Sequence, residues 1–190
     1  MPCVDSKVDP MLRRFQRWLL LPLLLSVAGC GQPASTATPP TAKSEVPTLN
    51  PNGYLNVAQP RLPTLKLYVG PKEIRAEIAS KDVEIRTGMM HRTEMGENDG
   101  MLFVFPRSFR AAFYMRNTKV PLTGAYIDPD GVVLELHDMK PLDESSIEAS
   151  TDRVQYVLEM NQGWFQKNGI GVGAVITTER GKLGATFFGR

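Results

Sequence analysis

Seven prolines fall between residues 31 and 63, with few large apolar residues among them. Such a stretch cannot bury enough surface to offset the entropy of ordering it. The sequence therefore places one folded domain at Thr64–Arg190, about the modal size for a single core. Both cysteines, Cys3 and Cys30, precede that boundary. The domain can have no internal disulfide, thiolate metal site or cysteine nucleophile, and must hold together by its core alone.

Upstream, "MLRRFQRWLLLPLLLSVAGC" (residues 11–30) sets three arginines before an apolar run and then small residues. That is the pattern of a secretory signal, with an apolar run about half the ~20 residues needed to span a bilayer. Asp5 and Asp9 suit a positive leader poorly, so Met11 competes with Met1 as the start. Val27-Ala28-Gly29-Cys30 resembles the lipobox of bacterial lipoproteins. The resemblance implies cleavage before Cys30, a signal peptide over residues 1–29, and acyl chains, palmitate among them, on Cys30. More than one chain gives stable anchoring, so the protein is expected to be exported and lipid-anchored to a bacterial membrane. Residues 30–63 then read as the lipidated cysteine and a proline-rich tether.

Four of the 22 Lys and Arg and two of the 20 Asp and Glu precede Cys30, leaving 18 of each. Net charge in the mature part is zero, and nothing in it points to a nucleic-acid partner.

Within the domain, "TLKLYVG" and "KEIRAEIA" alternate apolar and polar residues around Gly70-Pro71, which predicts two strands joined by a tight turn. Three- and four-residue steps after Ser80 predict a helix capped by that serine and running to about His91, although Gly88 weakens it. Met89 and Met90 read as core filler. "MLFVFP", "RAAFYMRNT", "RVQYVLEM", "AVITTE" and possible "ATFFG" strands follow, and Asp128-Pro-Asp-Gly131 is a strong hairpin signal. Seven to nine short strands and one proper helix predict a mainly β fold, a compact antiparallel β-sandwich or barrel-like domain with one or two short helices.

"GMMHR" (88–92), "GMLFVF" (100–105), "FYMRNTKVPLTGAYID" (113–128), "DGVV" (130–133), "VLEM" (157–160) and "GIGVG" (169–173) occur in the order and spacing of one family. The stretch from Leu65 to Thr178 resembles domain of unknown function 192, DUF192. The resemblance implies a compact, mainly β domain, often exported or lipid-anchored, and carries no biochemical activity. Tyr114, Arg116 and Thr123 stand where the family often has Trp, Lys and Asp.

Several motifs lack the context their chemistry needs. Gly169-Ile-Gly-Val-Gly-Ala174 fits the dinucleotide pattern on paper, but no strand precedes it and β-branched residues follow. Asp128-Pro-Asp-Gly lacks the glutamate that ends a calcium loop, since its twelfth position is Met139. His91 and His137 have no paired metal spacing, and no nucleophile elbow or phosphate loop occurs. No metal or cofactor is expected.

"AAFYMRNTKVPL" (111–122) remains. If it is a strand, Phe113, Met115 and Asn117 face one way and Tyr114, Arg116 and Thr118 the other. The second set offers a stacking ring, a planar fork of donors and a hydroxyl, suited to an anion or a sugar ring. Alternatively Arg116 pairs with a carboxylate on a neighbouring strand, such as Glu135 or Asp138. The candidate binding residues are Tyr114, Arg116, Thr118, Asn117 and, from "GMMHR", Arg92. The expected function is a non-catalytic binding module for a small ligand, saccharide or protein partner of the envelope. The alternatives are a hydrolytic enzyme using a histidine with a carboxylate such as Asp128, Asp138 or Glu159, and a structural accessory protein.

Overall fold

The structure is a computed structural model that describes residues 46–189. The leader and Cys30 lie outside the described residues.

The strands expected at residues 64–79 form β1 (Thr64–Val69) and β2 (Lys72–Ala79), antiparallel about Gly70. Helix α1 (Asp82–Thr87) follows. It is shorter than the predicted 80–91, and its N-cap is Lys81 rather than Ser80. The Glu84 carboxylate reaches back to accept the backbone N–H groups of Ser80 (3.1 Å) and Lys81 (3.0 Å), which covers donors that the first turn leaves open. Gly88 ends the helix at φ +47°, and its open side faces Phe103: an added Cβ would sit 3.2 Å from that ring.

The chain returns through β3 (Asp99–Phe109), β4 (Ala112–Phe113), β5 (Leu122–Ile127), β6 (Val133–Met139), β7 (Ile147–Glu148) and β8 (Val154–Asn161). Helix α2 (Trp164–Lys167), β9 (Ile176–Thr178), β10 (Gly181–Lys182) and α3 (Leu183–Phe188) complete it. The domain is mainly β, as the sequence indicates. Eight strands form one sheet in the order β10-β9-β1-β2-β3-β8-β5-β6, and β4 pairs with β7 separately. All neighbours in the large sheet are antiparallel except β2 and β3. That pair is parallel because α1 lies in the connection between them, and parallel neighbours need a crossover of a dozen residues or more.

The middle of the sheet is buried on both faces, while β1 leaves Tyr68 exposed on one of its faces. Leu102, Val104, Tyr156 and Leu158 join one apolar cluster with Trp164 and Phe165, while Met101, Phe103, Tyr126 and Val157 join a second with Met89 and Met115. Adjacent residues of β3 thus serve opposite cores, as strand alternation requires. Strand β8, enclosed between β3 and β5, is buried from Val154 to Met160 and reads as a nearly continuous apolar run.

The hairpin at residues 128–131 forms as the sequence predicts. Gly131 takes φ +86°, and Asp128 Oδ1 accepts the N–H groups of Asp130 and Val132, both at 3.0 Å. Its other oxygen accepts Arg153 at 2.8 Å, so the carboxylate is engaged by the turn itself. The glycine-rich 169–173 stretch is the loop between α2 and β9, tied to β6 through Gly173 N–H and Val133 O at 2.8 Å.

Residues 46–62, which composition assigns to the tether, lie against the domain. Leu55 N–H donates to Thr87 Oγ1 (3.1 Å), and Gln59 Nε2 donates to the carbonyls of Glu84 (3.1 Å) and Gly88 (2.9 Å). Tyr54 and Gln59 are buried. The strap has few large side chains and docks through Gln59 on the Glu84 and Gly88 carbonyls, through Leu55 N–H on Thr87, and through the buried Tyr54.

Candidate functional site

The strand predicted over 110–118 is cut short. Only Ala112 and Phe113 pair, and residues 116–117 turn, with Asn117 at φ +56°. Asparagine tolerates that left-handed geometry better than most residues. Alternation therefore fails after Met115, and the three side chains Tyr114, Arg116 and Thr118 do not form one exposed face. Tyr114 is 40% exposed, whereas Thr118 is buried at 5%. Asn117 is held through its backbone, its carbonyl accepting His91 N–H at 2.8 Å.

Arg116 is engaged by the protein itself, but by neither Glu135 nor Asp138. Its Nε (3.0 Å) and Nη2 (2.6 Å) both donate to Glu144 Oε2, and its guanidinium lies 5.3 Å from the centre of the Tyr114 ring. Glu144 and then a hydrogen bond with Tyr54 raise its pKa above the ordinary arginine value. Both ends of the Glu144 pair are well exposed. Glu135 instead accepts Ser150 and His137, and Asp138 accepts Thr123 Oγ1 at 2.5 Å.

Arg92 is buried and pairs with Glu77 at both oxygens, 2.6 and 2.8 Å. Glu77 also accepts Arg61 and the Leu62 N–H, each at 2.8 Å. Burial pushes the Glu77 carboxyl up, but Arg92, Leu62 and Arg61 outweigh it and hold the group below the usual carboxylate range. This is a structural pair, with both of its terminal nitrogens committed.

A different set of residues does converge. A cavity of about 540 Å³ opens between α1, β3 and β4, within the range of small-ligand sites. Its α1 side is Ile85, Arg86 and the Gly88-Met89-Met90 turn; Phe103, Phe105 and Phe109 come from β3, and Ala112, Phe113 and Tyr114 from β4 and just after it. Phe109, Phe105, Phe113 and Phe103 contact one another in sequence edge to face, at centroid distances of 4.7, 6.4 and 5.1 Å. Tyr114 and Thr118 are thus the predicted site residues that line the cavity; Arg116, Asn117 and Arg92 do not.

Glu159 supplies the acidic group of this apolar space. It sits on β8 opposite Met101 of β3 and Gly124 of β5, is 5% exposed, and lines the cavity. Its Oε2 has no hydrogen-bond partner among the described residues. Burial pushes its carboxyl up to about 8, so the proton is largely retained at neutral pH. The sequence signal was present: Glu159 is the sole charged residue in the apolar strand "VQYVLEMN".

Of the two histidines, His137 Nε2 lies 2.8 Å from Glu135 Oε2 and its ring lies 4.9 Å from that of Tyr126, but neither His137 nor Glu135 lines the cavity. Glu135 Oε1 also accepts the Ser150 N–H and hydroxyl, so the contact ties β6 to the loop after β7. Among the described residues no three His, Asp or Glu groups are placed to hold a metal ion.

The fold and cavity define a small, mainly β domain with a side cavity lined by phenylalanines and a buried acid. The chain belongs to the DUF192 family, described as uncharacterized ACR, whose model matches residues 65–178. It is similar to a proposed transcription regulator from Sinorhizobium meliloti (26% identity, TM-score 0.60, covering 63% of this chain and 97% of that one). It is also similar to a protein of unknown function from Novosphingobium aromaticivorans (29% identity, TM-score 0.57, 70% and 93%). No match was found among curated proteins.

Proposed function

We propose that this chain is a lipid-anchored envelope protein whose domain binds a small, largely apolar ligand in the cavity beside α1. The observation that carries the reading is the unpartnered Glu159 carboxyl in a cavity that also carries four phenylalanines and two methionines. A buried polar group without a partner is costly, and a ligand that hydrogen-bonds the Glu159 carboxyl would relieve that cost. Binding is favoured over hydrolysis because the histidine–carboxylate contact at His137 and Glu135 lies outside the cavity and is tied to Ser150.

Ligand-observed NMR with neutral and charged aromatic fragments, run on the full chain in detergent, tests the pocket. Saturable binders should be lost in Ala112→Trp, which fills the mouth from an exposed position. Binding unchanged by that substitution, or no saturable binder at all, would refute the pocket. The anchor is supported by the leader and its lipobox-like end. Cys30→Ser should abolish metabolic palmitate labelling, and equal labelling of both forms would end that part.

A further inference from the structure

The cavity is one-sided in its electrostatics. Its charged lining residues are Glu159, Asp82 and Arg86. Arg86 is exposed at the rim and its Nε is tied to Asp82 at 2.8 Å. The nearby cations outside the lining are committed as well, Arg92 to Glu77 and Arg116 to Glu144. No side chain among the described residues hydrogen-bonds Glu159 Oε2. The same cavity is lined by Phe103, Phe105, Phe109, Phe113 and Tyr114, aromatic rings whose faces carry negative potential and attract cations. An anionic ligand would meet an unpaired acid and negative ring faces, and the one guanidinium of the lining, Arg86, stands at the exposed rim already paired with Asp82. A neutral one would make no use of the ring potential.

We propose that the ligand is an organic cation, an amine or quaternary ammonium on an apolar body, with its charge held between the Glu159 carboxylate and the phenylalanine wall. This rests on the reading of the cavity as a ligand site. When a cation enters, Glu159 gives up its proton to solvent and the bound pair is neutral overall. The groups that face it are Asp82 and Arg86 from α1, Tyr114 after β4 and Tyr126 from β5, with His91 just beyond Met90; the β3 lining is untitratable.

The test uses three probes of one shape: 4-phenylbutylammonium, 4-phenylbutanol and 4-phenylbutanoate, titrated calorimetrically into the full chain. The ammonium should bind at least tenfold more tightly than the alcohol, and the carboxylate more weakly than either. Titrations in buffers of different ionisation enthalpy at pH 7 should show proton release with the ammonium and none with the alcohol. Glu159→Gln should weaken the ammonium tenfold or more and spare the alcohol. Tyr114→Leu, at the exposed rim, should weaken the ammonium more than the alcohol without disturbing the core. An alcohol that binds as well as the amine, or an ammonium indifferent to Glu159→Gln, overturns this inference and leaves the pocket standing. Failure of all three probes, or binding that survives Ala112→Trp, overturns the pocket as well.

Discussion

Glu159 makes the domain's stability depend on pH in a direction opposite to most carboxylates. Burial raises its pKa from 4.5 to about 8, so between those values the folded state keeps a proton that the unfolded chain has lost. Stability from this group is fully present below pH 4.5, falls as pH rises, and is gone above about 8. Across the window the loss is on the order of 3 to 5 kcal/mol. Glu159→Gln cannot ionise, so in urea melts its advantage over the parent should be near its minimum at pH 4.5 and larger by a few kcal/mol at pH 8.5. An equal gap at both values would mean that Glu159 titrates like an exposed acid.

The two arginines singled out from the sequence separate at the same scale. Arg92→Ala leaves Glu77 without its main partner in a buried site and should cost about 3 to 5 kcal/mol. Arg116→Ala removes an exposed pair with Glu144 and should cost no more than about 1 kcal/mol. Thermal melts of the two variants would show it, and equal losses would contradict the assignment. Sequence could not distinguish them, because Glu77 lies 15 residues before Arg92 and Glu144 lies 28 after Arg116. Only the fold closes those distances.

At the scale of elements, the hairpin at Asp128–Gly131 and strands β1, β2 and β8 were legible, since turn chemistry and hydrophobic pattern are local. Helix α1 was legible in its existence, but its end was not. The periodic pattern runs through Gly88 to His91, whereas the left-handed turn at Gly88 is set by the Phe103 ring, which comes from another strand. The cavity was hidden for the same reason: its walls come from α1, β3, β4 and β8, which no local pattern brings together. Gly88→Ala forces a Cβ into a positive-φ site and against Phe103, and should destabilise by about 1 to 3 kcal/mol. Chemical denaturation would measure it, and a neutral outcome would show that the turn can relax.

For the whole molecule, the boundary drawn from composition at residue 63 and the one drawn by contacts differ. Residues 46–62 bring Tyr54 and Gln59 into the buried part of the domain and give Glu77 two of its partners, Arg61 and the Leu62 N–H. Limited proteolysis should leave a resistant fragment beginning near Thr48, whose N–H makes the strap's first hydrogen bond, to Asn56. A fragment beginning near Thr64 that melts at the same temperature would show that the strap adds nothing.

The strap also determines how the domain carries tension. A pull on the N-terminal end, as an anchor at Cys30 would exert, reaches Gln59 and its two bonds to the end of α1 before it reaches the sheet. Beyond it, β1 lies inside the sheet between β2 and β9, so force along that strand loads two hydrogen-bonded ladders in shear. The first contact to yield under load is therefore the strap on α1, and α1 is one wall of the pocket. Stretching the chain would slacken this wall of the cavity well before it unravelled the fold.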